Sequence, residues 1–502
     1  VSRSLADFSL KRRILSIALL APWIVAAAQP QANGPIVAPA SPILPEAVAK
    51  PPLIIPPHII PTMSDAQREQ LKRFLGEADA DGIAPDGRGN VAPDEDDPTA
   101  IVNAVLDQAR ALHSGRLAPS DFMSAWGLRP AVYDPWPGFI AAVQQDRIAS
   151  WTASLRPPYA GYETVKRALA VYRSIEEGGG WSSLPSTEGL TPGATGERVN
   201  LLRARLAIED KEVSRASSRY DDKLVAAVQR AQRRYGIEPT GIVGSATLAA
   251  LNVSARSRVR QIEANLERWR WLPPELPPKR VQVNIAAAVL TMFDADKPVL
   301  SMRAVTGRPG DETPMLSSAI HSIVFNPPWN VPSSIATKEL WPKEHAHPGY
   351  LAAHAFKVID TGTGTRLQQK AGPKSALGRI KFDFDNSYGV YLHDTPTKAT
   401  FSRYSRLASH GCVRLARPRD LAQLLLSDKP GWTADDVDAT IAKGDTIRSR
   451  LTQPVAVFLL YWTAYASADG RVTFLDDPYG WDAELANRLD MSANRAKRIV
   501  MK

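Results

Sequence analysis

The chain has 502 residues, more than one hydrophobic core usually organises, so two or three folded units joined by linkers are expected. Hydrophobic residues make up 44% and charges of both signs interleave, which excludes wholesale disorder. The formal net charge of +9 favours a polyanionic or carboxylate-rich neighbour; no dense Lys/Arg stripe with interleaved aromatics is present, which argues against nucleic acid as a partner.

In chain order, Lys11, Arg12 and Arg13 precede an apolar run from Ile14 to Ala28 that ends in Ala26-Ala27-Ala28, an export-signal pattern. The run is shorter than the ~20 residues that cross a bilayer, and its small-residue end suits cleavage before Gln29; retention as an inner-membrane anchor is the alternative. Residues 29–62 are rich in Pro and Ala and read as an extended linker. Helical periodicity starts at Ser64, an expected N-cap, with Leu71, Phe74 and Leu75 on one face. The stretch from Asp81 to Pro98 lacks the ligand spacing of an EF-hand and reads as a loop. Further helices are expected over Ala100–His113, Trp136–Gln145 and Tyr159–Glu176, stopped by Gly178-Gly179-Gly180.

From Gly196 to Asn252 a compact helical unit contains Ala227-Val228-Gln229-Arg230-Ala231-Gln232, the turn Thr240-Gly241-Ile242-Val243-Gly244, and Thr247-Leu248. It resembles the small three-helix peptidoglycan-binding domain, with Ala231 in place of the usual Phe and Thr240 in place of the usual Asp. Glycan binding and a purely structural role are both open for it. After a connecting helix at 255–280 the texture becomes β: Val281–Met292, Ser301–Val305, Ile320–Phe325, Gly389–Leu392 and Val455–Ala466 read as strands, with a helix over Pro418–Leu426.

The chemistry concentrates in Tyr391-Leu392-His393-Asp394-Thr395-Pro396 and Ser409-His410-Gly411-Cys412-Val413-Arg414. Cys412 is the sole cysteine, so an internal disulfide is excluded. A nucleophilic thiol needs an imidazole to take its proton, and His393 at a strand end is the expected base. His410, two residues before the thiol, shares its face if the segment is extended and points away if it turns, so it is given a positioning role. Gly411 allows an unusual dihedral, and amide N–H groups at Gly411 and Cys412 are candidate oxyanion donors. Arg414 is close enough to hold a substrate carboxylate, the competing reading being a surface ion pair. His345, His347 and His354 have no carboxylate or thiol at ligand spacing, so no metal site is expected.

These residues resemble the L,D-transpeptidase (YkuD-type) catalytic domain, whose signature is an upstream His followed by Ser/Thr-His-Gly-Cys-x-Arg. Phe325-Asn326-Pro327-Pro328-Trp329-Asn330-Val331-Pro332, Ala376-Leu377-Gly378 before Lys381-Phe382, and Tyr461-Trp462-Thr463 extend the likeness to the large periplasmic subgroup. The resemblance implies a multidomain α+β chain: signal or anchor (1–28), linker (29–62), helical scaffold (63–186), peptidoglycan-binding-like domain (187–254), connecting helix (255–280) and a mainly β catalytic domain (281–502) with a capping segment at about 333–373. It implies Cys412 as nucleophile, His393 as proton acceptor and donor, and Ser409, Tyr391, Trp329, Asn330 and Arg414 as substrate contacts. The family orients its His through a backbone carbonyl, so Asp394 is expected to face solvent or stabilise a turn. Ser375 stands where the family commonly has Asn.

The implied reaction cleaves the bond from diaminopimelate to D-Ala in a donor tetrapeptide and passes the acyl group from the Cys412 thioester to an acceptor amine, with no cofactor. Water as acceptor makes a carboxypeptidase, and a lipoprotein amine makes an anchoring enzyme. A noncatalytic wall-binding scaffold is the reading from another class. Partners are peptidoglycan stem peptides and glycan strands, carbapenems are implied inhibitors, and a periplasmic monomer is expected.

Overall fold

A computed structural model describes residues 59–83, 97–188, 190–362, 364–466 and 471–500, the side chains of 492–500 excepted. The expected signal, the linker up to residue 58 and most of the acidic loop before Pro98 lie outside the described residues. Among those described, no helix is long and apolar enough to cross a membrane.

The first helices are α1 (Asp65–Gly76), α2 (Pro98–Ser114), α3 (Trp136–Gln144), α4 (Ile148–Ser154) and α5 (Ala160–Glu177). Ser64 caps α1 reciprocally: its hydroxyl accepts from the Gln67 N–H while the Gln67 side chain accepts from the Ser64 N–H, satisfying two otherwise orphaned donors. Helices α1 to α4 bury Leu71, Phe74, Val105, Leu112, Phe139 and Trp151 in a core of their own.

Next come α6 (Glu197–Glu209), α7 (Asp222–Arg234) and α8 (Ser245–Asn252), the small three-helix unit. Gly241 takes φ +75° in its turn and a Cβ there would meet Val225 at 2.7 Å, so the glycine is required by both dihedral and space. The unit does not stand apart. Its Leu202, Leu206, Leu224 and Val228 share one continuous core with Tyr162 and Leu169 of α5 and with the β domain. A fully buried ionic cluster reinforces that junction: Glu209 accepts from the hydroxyls of Tyr172 and Tyr235 and pairs with Arg205 at 2.6 Å.

Helix α9 (Ala255–Trp269) runs between these layers. It stops short of the expected 280 because Pro273-Pro274 and Pro277-Pro278 remove helical donors and clash with the preceding turn. Glu267, wholly buried on α9, accepts from the N–H groups of Arg116 at 2.7 Å and Leu117 at 3.3 Å, tying α9 to the segment after α2.

The β domain is built from β1 (Arg280–Asn284), β2 (Val289–Asp294), β3 (Lys297–Gly307), β4 (Leu316–Phe325), β5 (Trp329–Asn330), β6 (Phe356–Asp360), β7 (Thr365–Gln369), β8 (Ile380–Phe384), β9 (Leu392–His393), β10 (Leu407–Ser409), β11 (Val413–Leu415) and β12 (Ile447–Leu460). The main sheet runs β10-β3-β11-β9-β8-β4-β12-β1-β2, and pairing of β3 with β2 closes it on itself. The expected strand Val281–Met292 is instead the β1–β2 hairpin, turning through Ile285–Ala288 with Ala288 at φ +49°. Likewise Val455–Ala466 breaks after Leu460, and the short strands β13 (Ala464–Ala466) and β14 (Val472–Phe474) form a separate ladder. The multidomain α+β architecture is otherwise as expected: a helical N-terminal part, a three-helix unit and a mainly β domain.

Residues 333–369 form a subdomain beside the sheet: three short helices, α10 (Ser333–Ile335), α11 (Trp341–Ala346) and α12 (Tyr350–Ala353), a π-helical turn (Ala336–Leu340), and strands β6 and β7, the latter pairing with the preceding β5, around Val331, Leu340, Leu351 and Leu367. Helices α13 (Pro418–Leu426) and α14 (Ala434–Lys443) precede β12, and α15 (Trp481–Val500) closes the chain.

Candidate active site

Strand register assembles the site. Strands β9 and β11 run parallel with Leu392 opposite Val413 and His393 opposite Arg414, while β8 places Lys381 opposite His393. Side chains alternate along strands, so Tyr391, His393, Cys412, Arg414 and Lys381 fall on one face, and Leu392, Val413, Leu415 and Phe382 fall on the other, where they are fully buried. The first face opens into a groove of about 740 Å³ whose walls include Tyr391, His393, Ser409, His410, Cys412 and Arg414. Trp329 and Glu339 of the 333–369 side form the opposite wall.

His393 is 5% exposed, and its Nδ1 lies 2.5 Å from the carbonyl oxygen of Asp394, with the Leu377 carbonyl also facing the ring. That contact makes Nδ1 the protonated nitrogen and leaves Nε2 with the free lone pair. Burial pushes the imidazole down to about 3, and Arg414 and Lys381 add to the shift. The thiol of Cys412 is pushed up by burial, against hydrogen bonds from the main chain and hydroxyl of Tyr391 and the charges of Lys381 and Arg414. Both partners are therefore neutral at rest, which suits general-base activation rather than a standing thiolate–imidazolium pair. The Asp394 carboxylate is no triad member: it accepts from the Arg379 N–H at 2.8 Å and pairs with Lys398 at 2.5 Å, stabilising a buried turn.

Ser409 shapes the turn that carries Cys412, its hydroxyl donating to the Cys412 carbonyl at 2.6 Å and accepting from the Gly411 N–H at 3.3 Å. The Gly411 amide, expected to face an oxyanion, is thus already engaged. Gly411 itself sits at φ +102°, a conformation that favours glycine. His410 pairs with Glu339 at 2.6 Å, joining the turn to the π-helical segment; Arg308 lies 3.9 Å from the same carboxylate oxygen. No carboxylate pairs with Arg414 among the described residues, and burial lowers its guanidinium's pKa, so a positive charge waits at the groove floor.

Of the two β5 residues only Trp329 reaches the groove, donating toward the Tyr391 hydroxyl. Asn330, next along the strand, points the opposite way, is exposed, and accepts from Gln368 at 2.8 Å. Ser375 is buried behind the groove with an unpartnered hydroxyl. Sequence reasoning quoted Lys381 in a motif block but gave it no role, and it passed over Glu339; the Lys381 ammonium lies 4.3 Å from the Tyr391 ring centroid and 2.7 Å from Asp383. Strand parity relative to His393 could have found Lys381; nothing local marks Glu339. Among the described residues no cluster of His, Cys, Asp and Glu is arranged to hold a metal ion.

Three family models match successive segments: "Scaffold domain" over 61–169, "Putative peptidoglycan binding domain" over 195–251, and "L,D-transpeptidase catalytic domain" over 278–447. A curated protein of Haemophilus influenzae, described as "Putative L,D-transpeptidase", is 32% identical over 220 residues, 40% of this chain. The chain spans 44% of that relative's length. Solved structures with some likeness include an L,D-transpeptidase of Xylanimonas cellulosilytica (17% identity, 55% of this chain and 98% of that one, TM-score 0.19). Another is an L,D-transpeptidase of Stackebrandtia nassauensis (15% identity, 55% and 96%, TM-score 0.22).

Proposed function

We propose that this chain is a cysteine-dependent L,D-transpeptidase of the cell envelope that cross-links peptidoglycan stem peptides. The observation that carries the reading is the shared sheet face: His393, Cys412 and Arg414 open together into a groove large enough for a branched peptide. The catalytic-domain match over 278–447 supports it.

In this mechanism Nε2 of His393 takes the Cys412 proton as the sulfur attacks the carbonyl between diaminopimelate and D-Ala. The tetrahedral intermediate collapses, the imidazolium returns its proton to the departing D-Ala amine, and a thioester remains. An acceptor amine, deprotonated by His393, then attacks the thioester and regenerates the thiol. Arg414, a half-buried cation with no carboxylate partner among the described residues, holds a stem-peptide carboxylate, while Tyr391 and Trp329 line the wall. Gly411 shapes the turn, Ser409 pins it, and His410 positions it from the Glu339 side. The same thiol is the proposed point of carbapenem acylation. No organic cofactor is needed, because the acyl carrier is the enzyme. The 195–251 unit is proposed to face glycan strands.

Incubating the protein with purified tetrapeptide muropeptides and reading the products by mass spectrometry tests this. Wild type should give cross-linked dimers and free D-Ala, and Cys412→Ala should give neither. Trimmed monomers without dimers would make the enzyme a carboxypeptidase, and no conversion by wild type would remove the reading.

A further inference from the structure

This inference concerns the same site and rests on the acyl-transfer reading above. Gly411 and Cys412 carry four polar main-chain groups. The Gly411 N–H donates to Ser409, and the Cys412 carbonyl accepts from Ser409. The Gly411 carbonyl accepts from Oγ1 of Thr313 at 2.7 Å. Of these four, the Cys412 N–H alone has no protein partner among the described residues.

Thr313 is fully buried, so the Gly411 carbonyl points into the protein. A trans peptide holds its C=O and N–H in opposite directions. Pinning the carbonyl inward therefore turns the Cys412 N–H outward, to the side on which the groove lies. Thr313 is itself held from several directions. Its Oγ1 accepts from the Gly307 N–H at 2.8 Å, and its N–H donates to the Tyr479 hydroxyl at 3.3 Å. That hydroxyl donates to the Gly307 carbonyl at 2.6 Å, and the Tyr479 N–H donates to Tyr461, whose hydroxyl donates to Asp477 at 2.6 Å. Asp477 accepts from the N–H groups of Trp481 and Asp482, at the start of α15. The chain of bonds thus runs from the nucleophile turn into residues 461–482, beyond residue 447 where the catalytic-domain match ends.

We propose that Thr313, braced by Tyr479, is a positioning residue that aims the Cys412 N–H at the developing oxyanion, making the segment after β12 a working part of the site. Residues 313 and 411 are 98 apart in sequence, and Tyr479 lies 166 beyond Thr313, which is why no local motif announces the connection.

The test compares two reactions of the same thiol. With p-nitrophenyl acetate the sulfur bonds to the acetyl carbon, the thiol proton passes to His393, and the bond to p-nitrophenolate breaks through an oxyanion. With iodoacetamide the sulfur displaces iodide and no oxyanion forms. Thr313→Val should slow the p-nitrophenolate burst on the order of 10²-fold and leave alkylation unchanged, and Thr313→Ser should restore the burst. Tyr479→Phe, which keeps the ring packing, should slow the burst less and also spare alkylation; it decides the matter if Thr313→Val does not fold. An unaltered burst, or equal losses in both reactions, overturns the proposal. Wild type that gives a burst yet converts no tetrapeptide would remove the wall-substrate reading and leave this one standing.

Discussion

At the scale of single residues, burial is the largest influence on both His393 and Cys412, the proposed catalytic pair, and it pushes them toward their uncharged forms. The buried imidazole of His393 titrates near 3 in the fold against an ordinary 6.5, so between those values the unfolded chain binds a proton that the native site refuses. Stability is therefore lost as pH falls below 6.5, by about 1.4 kcal/mol per pH unit from this group alone. Thermal melts between about pH 6.5 and pH 4 should show wild type losing more than His393→Gln, because carboxylate protonation acts on both proteins while the imidazole acts on one. Parallel losses would mean that the ring is solvated. The same neutrality predicts that acylation keeps its rate as pH falls from about 8 to about 5; an inflection near the free-histidine value would contradict it.

At the scale of elements, the 333–369 subdomain has its own small core and meets the turn before Cys412 through Glu339 and His410. That pair is about one-third exposed, so it contributes no more than about 1 kcal/mol and serves better to hold a position than to stabilise a fold. Glu339→Ala should leave the denaturation midpoint almost unmoved while raising amide hydrogen exchange across 333–369; unchanged exchange would mean that packing alone fixes this segment. The same scale shows what could be read from the chain. The Ser64 cap, the helices on apolar periodicity and the strands around Ser301–Val305 and Ile320–Phe325 follow local patterns, and the structure has them; the strand expected over Gly389–Leu392 is only Leu392–His393, and β10 and β11 beside the thiol were not foreseen. The β1–β2 turn was hidden because Ala286-Ala287-Ala288 contains no glycine or proline to announce it. That Asn330 does not line the groove was hidden for another reason: a motif carries residue identity but not which face of a strand each residue takes. Thr313 and Tyr479 gave no signal at all, since their partners lie far away along the chain.

At the scale of the whole molecule, sequence texture suggested separable units, yet the hydrophobic core ignores those borders. Helix α5 packs with the three-helix unit and the β domain rather than with α1 to α4, and α9 is buried on nearly every side between them. Glu209 sits at this junction, and removing it leaves buried Arg205 without its counter-ion, a change that costs about 3–5 kcal/mol. Glu209→Ala should lower the urea midpoint of the transition that includes both the three-helix unit and the barrel; a separate early transition confined to 195–251 would show that the two unfold independently. The shared core has a consequence for reach. A module on a flexible tether samples many distances, and the effective concentration it confers follows from tether length. Here the span from residues 195–251 to the groove is set by packed helices, so the protein behaves as a rigid gauge, and under the proposed function the conformational give needed to bring a stem peptide to Cys412 comes from the polymer.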